Sequence, residues 1–381
     1  MSHAYQVRLY DRATGALTAI FDDWNSLYYY RRLNDYGYHT FSIDGDDPKR
    51  ELFQLDTLVQ VLRRDEAAGI PWTEDYIAFH RTGVQQVTDR GRVLFSSYGR
   101  SLEELLKRRH ILWRPGDIAI ARGQEGEYLA GAADDVMKQY VRENIGNSAA
   151  LSNGRMAEGK LDAFTVDASF TLAPSWEGRR AYKNLLAVVQ EVGAARSVDF
   201  DVTWSAPSGA LLFQFHTYYP RKGQDRTGAG TAAPVVFSLE HANMSAPYLT
   251  ESRMNEITAV YVLGQGEGVA RTFVERTNVF GLDASPWNRV EYTHDARTEA
   301  GLGGLQALGD AHLLEHGPDN HMSFQVIASP GSVYGREYFI GDLILGKFLG
   351  AEQPRKIIGV EVTVADGDEN IRIHFEGEEQ N

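Results

Sequence analysis

Near the end of the chain, apolar residues return at every second position. Ile358, Val360, Val362 and Val364 share one face, with Glu361 and Thr363 on the other. Asp366–Asn370 turns, and Ile371, Ile373 and Phe375 answer with Arg372, His374 and Glu376 outward. A period of two belongs to a half-buried strand, so this segment reads as a β-hairpin.

The first hundred residues have the same character. Strands are predicted at Tyr5–Tyr10, Leu17–Phe21, Ser26–Leu33, Tyr38–Asp44, Thr57–Arg64, Tyr76–Thr88 and Gly91–Tyr98, with turns at Asp11–Gly15 and Asp89–Gly91. Pro48 suits the first turn of a short helix, and Ser101 with Glu104 has capping-box spacing for a helix over Ser101–Arg109. The periodicity then changes. Val136, Met137, Tyr140 and Val141 predict an amphipathic helix over Gly131–Ile145; Tyr182, Leu185, Leu186, Val189 and Val192 predict another over Arg179–Val192. Strands are expected at Ala163–Leu172, Ser197–Trp204 and Ala210–Tyr219, and Gly223–Pro234 reads as a mobile loop. Further strands follow at Pro234–Leu239, Glu256–Leu263, Ala270–Arg276 and Asn288–Asp295, then a glycine-interrupted helix over Glu299–Glu315 capped by Thr298. The fold class is mainly β with α+β insertions.

Lys and Arg total 38 against 52 Asp and Glu, a formal charge of −14. A coat that grips nucleic acid needs clustered Lys and Arg, so this balance argues against one. It does not argue against a surface past which nucleic acid slides. There is no cysteine, which excludes disulfides, thiolate nucleophiles, iron–sulfur clusters and Cys-containing zinc sites. The start, MSHAYQVRLYDR, lacks an apolar h-region and no run of 18 apolar residues occurs, so neither a signal peptide nor a membrane span is expected.

No catalytic constellation declares itself. Acid pairs stand at Asp22–Asp23, Asp46–Asp47 and Asp134–Asp135, with a cluster at Asp366, Asp368 and Glu369; in an acidic chain such neighbours arise by chance and read as solvated turns. As an EF-hand, DGDEN fails: Ile371 stands where the loop glycine belongs and Gly377 where the glutamate belongs. His312 and His316 lie four apart on a predicted helix, with His321 soon after. HExxH is absent, no carboxylate at motif spacing is read to complete a metal site, and histidines near a helix C-terminus explain the pair more cheaply. His216 and His374 occupy the polar side of alternating strands. Gly264, Gly266 and Gly268 miss the dinucleotide fingerprint, because Val269 stands where its third glycine would be; strands on both sides make them a loop. Walker and G-x-S-x-G motifs are also missing. Catalytic, cofactor-binding and metal residues are therefore all expected to be none.

The order of motifs resembles baseplate-hub, or tail-associated, proteins of long-tailed phages with non-contractile tails. The resemblance is carried by YQVRLYDRATGALTAIFDDWNSLYYYRRLNDYGYHTFSI, AADDVMKQYVRENIG, Asn153–Arg155, RAYKNLLAVVQEVGA, Gln224–Gly228, the stretch from VVFSLEHANM to VLGQGEGVAR, FIGDLILGKF and KIIGVEVTV. It covers nearly the whole chain. It implies an architecture similar to the trimeric hubs of contractile phages such as Mu. Two tail-tube-like β-barrel domains, 1–100 and 236–381, would flank an α+β unit at 101–235, with the helix near 299–315 inserted in or bracing the second. Three copies would form a pseudo-six-fold ring that continues the tail tube around the DNA exit channel. Implied neighbours are tail-tube, distal tail and tip or fibre proteins, with contact to the tape-measure protein. Its place would be the virion's tail tip, after assembly in the host cytoplasm. No cofactor and no fused hydrolase is implied. Asp225, Arg226 and Thr227 are read either as a lock between domains or subunits or as a solvated loop; Trp24 and Tyr28–Tyr30 as interface anchors or as core. A glycan- or peptidoglycan-acting hydrolase and a carbohydrate- or receptor-binding module stay as alternatives.

Overall fold

The computed structural model describes residues 3–89, 91–113, 126–297, 299, 301–365 and 368–376, with the side chains of residues 3, 208 and 319–321 outside the description. The chain is mainly β with a few helices. The first part holds β1 (His3–Tyr10), β2 (Leu17–Phe21), β3 (Ser26–Arg32), β4 (Tyr38–Asp44), β5 (Leu58–Asp65), β6 (Ile70–Val87), β7 (Val93–Ser101) and α1 (Glu104–Lys107). The middle holds β8 (Glu127–Ala132), α2 (Ala133–Asn144), β9 (Phe164–Val166), β10 (Ser175–Arg180), α3 (Leu185–Arg196), β11 (Asp199–Ser205) and β12 (Leu212–Tyr218). The last part begins with β13 (Val236–Ser238), β14 (Met244–Ser252), β15 (Ala259–Leu263), β16 (Phe273–Thr277), α4 (Val279–Ala284) and β17 (Glu291–Asp295). It ends with α5 (Leu302–Glu315), β18 (Asp319–Val326), β19 (Leu343–Phe348), β20 (Ala351–Ala365) and β21 (Asp368–Phe375). No helix among the described residues is long and apolar enough to cross a membrane.

One sheet of eleven strands runs in the order β13-β19-β20-β3-β4-β7-β6-β5-β1-β2, with β21 joined to β20. The two ends of the chain meet in the antiparallel pairing of β3 with β20, in which Tyr29 faces Val362 and Arg31 faces Val360. Strands from both ends of the chain therefore share one ladder. They also share one core: Leu27, Tyr29 and Phe41 pack with Phe237, Ile344, Val360, Val362 and Phe375, all fully buried.

The expected tail hairpin forms, with Val360 opposite Ile373 and Val362 opposite Ile371. Its inward face is less regular than the alternation predicts. A bulge between Ile357 and Gly359 buries Ile357 completely and leaves Ile358 half-buried. One extra residue reverses which alternate positions face the core. Asp366 and the turn residue Arg90 lie outside the described residues.

Several helix boundaries move for identifiable reasons. The capping box does not form: α1 is a single turn, Ser101 Oγ accepts from Gly37 N at 2.8 Å, and Glu104 pairs with Arg100 and Arg108. Pro48 does open a short 3-10 turn, which Asp47 caps through Lys49 N at 2.8 Å. The second predicted helix begins at Leu185, because Asn184 caps it through Leu186 N; Arg179 and Arg180 belong instead to β10, paired with β8. The strand expected over Ala163–Leu172 shrinks to Phe164–Val166. α5 starts at Leu302, and its expected cap, Thr298, lies outside the described residues. The residue pattern predicts none of β8, β10, β14, β18, β19 and α4.

The middle unit packs on the outer face of the first sheet. Leu58 and Phe79 share its core with Phe200, Phe213 and Phe215, and Tyr10 meets Trp204 with ring centroids 4.8 Å apart. β14 and β18 form a two-stranded ribbon. Between them the chain builds a small module of β16-β15-β17 and α5, with its own core of Val260, Val262, Val274, Ala296 and Leu305.

If the two ends are one cooperative unit, Phe375→Ala loosens the first strands as well as the last. It should cost about 3–5 kcal/mol in denaturant titration, and hydrogen exchange should accelerate at Leu27 and Tyr29. Unchanged protection in β3 would show that the ends unfold separately.

His39 offers a second test. It is buried 1% exposed beside Ser97, and burial, followed by the neighbouring His80, holds its imidazole down to about 3. The unfolded chain takes up that proton near pH 6.5, so stability should fall as pH drops from about 6.5 to 3, by ~1.4 kcal/mol per pH unit. His39→Gln should flatten that slope in acid denaturation; an unchanged slope would remove His39 as the cause.

Candidate functional sites

The seams between the first, middle and last parts carry the concentrated polar chemistry. Three arrangements stand out, each built from residues far apart in sequence.

In the first, β1, β3, β5 and β6 meet the loop before β19 and the last strand. Arg31 Nη1 donates to Asp75 Oδ1 at 2.8 Å and to the Tyr334 hydroxyl at 2.9 Å. Tyr334 donates to Asp75 Oδ1 at 2.7 Å, and Tyr29 donates to the other oxygen. Next to them Arg63 binds Glu369 through Nε at 2.8 Å and Nη2 at 3.2 Å; Tyr5 also donates to Glu369. Burial, then the neighbouring carboxylate, pushes the hydroxyls of Tyr5 and Tyr29 well above the usual phenol range; burial also raises Tyr334. All three therefore stay protonated and act as donors. The side chains of Arg63 and Glu369 are only 4% and 10% exposed, so neither charge has water to fall back on.

The second is a junction on Asp199, at the start of β11. Asp199 Oδ1 accepts from Asn34 Nδ2 at 2.8 Å and lies 2.7 Å from Lys356 Nζ, while Oδ2 accepts from Lys222 N at 2.9 Å. One buried carboxylate thus ties the β3–β4 turn, β20 and the arm leaving β12. Asn34 takes a left-handed backbone (φ 60°), a conformation Asn tolerates, and its Oδ1 accepts from Phe200 N at 2.8 Å.

The third is the arm itself. Arg226 Nε donates to Asp342 Oδ2 at 2.7 Å, and Gln224 N donates to Asp342 Oδ1 at 2.7 Å. Gly223 passes so close that a Cβ there would stand 2.2 Å from Asp342 N. Arg226 is therefore a lock between the arm and the β19 edge, made by one nitrogen with a distant partner rather than by bidentate pairing with Asp225. Asp225 instead accepts from Thr227 N at 3.0 Å and from the Thr227 hydroxyl.

The acid pairs are committed elsewhere. Asp134 and Asp135 accept backbone N–H groups of Leu172, Ala173 and Phe170, which holds the 170–173 turn on α2. Asp22 accepts from Gln6, and Asp47 caps its turn. A cleft of 190 Å3 at the first seam is lined by Arg31, Glu74, Glu103, Asp201 and Lys222. Small-molecule pockets run to roughly 300–1,000 Å3; Glu74, Glu103 and Asp201 there already bind Trp204 Nε1, Ser101 Oγ and the Tyr218 hydroxyl, and Asp75, which also lines the cleft, is held by Arg31, Tyr29 and Tyr334. Gly264, Gly266 and Gly268 lie in the connection of the antiparallel pair β15–β16, where no βα crossover exists. Tyr29 and Tyr30 are core residues, Trp24 packs against that core, and Tyr28 binds Glu361. His216 spans Asp167 and Thr203, and His374 lies 3.2 Å from Glu361. α5 does bring His312 and His316 together, and β17 adds His294, which spacing alone does not place; the side chain of His321 lies outside the described residues.

The family described as Siphovirus ReqiPepy6 Gp37-like protein matches residues 6–375. The chain belongs to that family. Three solved structures share its fold over nearly the full length of both partners. The prophage MuSo2 43 kDa tail protein from Shewanella oneidensis is 11% identical, with a TM-score of 0.55 over 97% of this chain and 98% of its own. Prophage tail protein gp18 from Listeria monocytogenes EGD-e is 9% identical, with a TM-score of 0.54 over 99% and 95%. The tail protein from Neisseria meningitidis MC58 is 12% identical, with a TM-score of 0.53 over 98% and 97%. No curated protein matches by sequence. The resemblance to phage tail proteins carried by the motif order is thus met by family and fold together.

The Arg63–Glu369 pair predicts a specific pattern. Arg63→Met strands a buried carboxylate and should cost about 3–5 kcal/mol in denaturant unfolding, whereas Arg63→Met with Glu369→Leu should recover most of it. Equal losses in the single and double variants would refute the pairing as the cause.

Proposed function

We propose that the chain is a structural hub of a phage tail tip or baseplate, without catalytic activity. The observation that carries this reading is full-length likeness of fold to three phage tail proteins, within a siphovirus protein family. In this reading the segments 1–100 and 236–381 are two tube-like units joined through β3 and β20, and 101–235 braces them from outside. Three copies close into a pseudo-six-fold ring that continues the tail tube around the DNA exit channel. Closure suits the chemistry of sheets, because a ring covers the edges that β2 and β13 leave open. Neighbours in the tail are the tube, distal, tape-measure and tip or fibre proteins.

Three copies bring 3 × −14 = −42 formal charges. Where these line the channel they repel phosphate, and DNA passes without being held. Buried Arg–carboxylate pairs at the seams make each copy rigid enough to present the same face twice around the ring.

Light scattering after size exclusion, with negative-stain images of the peak, tests the reading. The expected result is a trimer with a central hole near the width of duplex DNA, alone or on adjoining tail proteins. A monomer that clears cell-wall substrate through a carboxylate-lined cleft would overturn it. A neutral or basic lumen would remove the charge argument while leaving the ring.

A further inference from the structure

The small module between β14 and β18 has a limited core of five buried residues, and the chain has no cysteine with which to staple it. Modules of this size are commonly reinforced by a cross-link or a metal. The last turns of α5 place the ingredients for one on a single face. His312, Glu315 and His316 follow the i, i+3, i+4 spacing, which sets all three on one helix face and brings Glu315 to the histidine pair. One ligand atom from each lies within 4.8 Å of the others. The two imidazoles are nearly parallel, with 7° between their planes and 6.2 Å between centroids.

We propose that His312, Glu315 and His316 bind one divalent first-row transition ion, with Zn2+ as the type case, and that His294 is a positioning residue for it. The decisive atom is His312 Nδ1. It is shielded from solvent, has no hydrogen-bond partner among the described residues, and lies 4.0 Å from Glu315 Oε2. That is too long for a hydrogen bond. Two ligands at about 2.0–2.1 Å on a tetrahedral ion stand about 3.4 Å apart, so a small side-chain adjustment seats an ion between them. The other nitrogen, Nε2, lies 3.0 Å from Nδ1 of His294 on β17. With the shared proton on His312 Nε2, His294 accepts it and the lone pair of His312 Nδ1 is left for the metal. Such outer partners fix the tautomer and ring orientation of a ligating histidine.

Two further features favour a cation here. His316 is the C-cap of α5, so the site lies at the negative end of the helix dipole. Two imidazoles and one carboxylate suit Zn2+, Co2+ or Ni2+, while Ca2+ and Mg2+ prefer oxygen alone. Three protein ligands leave one position for water or for a group from a neighbouring subunit. Bound there, the ion clamps the last turn of α5, with His294 on β17 as the outer partner of one ligand. Nothing in the site depends on ring formation.

The test uses the full chain, stripped with a chelator and dialysed, then titrated with Zn2+ by calorimetry and with Co2+ by visible absorption. The expected result is one ion per chain, a Co2+ d–d spectrum, and a higher melting temperature with Zn2+ but not with Mg2+. Glu315→Gln and His316→Ala should each weaken binding at least tenfold. His294→Ala should weaken it about 10–100-fold and alter the Co2+ spectrum. No stoichiometric ion, or an affinity unaltered in both Glu315→Gln and His316→Ala, overturns the site. If His294→Ala lowers metal-free stability without moving affinity or spectrum, its role is structural and that part of the proposal fails.

Discussion

The antiparallel pairing of β3 with β20 is the constraint on which the rest of the structure depends. Without β20, β3 would be an open edge with unpaired N–H and C=O groups and a row of large side chains. With it, Tyr29 and Val362 face each other over one core, and the outermost segments of the chain become neighbours. The middle unit and the ribbon-borne module are then built around a sheet that already joins both ends of the chain.

That arrangement brings unlike segments together, and buried polar groups decide how they fit. Arg63 with Glu369, Arg226 with Asp342, and Lys356 with Asp199 each join residues more than one hundred positions apart. A buried ion pair adds little net stability over a well-packed apolar one, but losing one partner is costly. At each of these three places, then, the loss of one partner would leave a charge unmatched between segments distant in sequence.

Local chemistry was legible wherever the side-chain pattern had a period. Leu17–Phe21 and Tyr38–Asp44 appear as strands at the bounds the alternation predicts, and the tail hairpin pairs as its valines and isoleucines require. The helix at Leu185 was misplaced because Tyr182 extends the apolar stripe into residues that Asn184, as a cap, excludes. β14 and β18 were missed because their alternation is weak and each makes sense only beside the other. Of the candidate sites, Arg226 could be singled out in a glycine-rich loop, but Asp342 could not be named as its partner. His312 and His316 were visible as a helical pair, whereas His294 joins them only through the parallel pairing of β15 with β17 and the packing of α5 on that sheet.

By itself, then, the sequence determined the class of the fold, most strand positions in the first hundred residues, the closing hairpin, and the chemistries that an acidic chain without cysteine excludes. Only the tertiary structure decided that both ends share one sheet, that Glu369 is a buried ion-pair partner rather than a solvated turn residue, and which face of β20 turns inward past its bulge. The reason is physical. Periodicity records what each residue prefers relative to water, which is a local property. Strand partners, buried charges and bulges are set by which distant segments close the sheet, and that choice belongs to the whole chain.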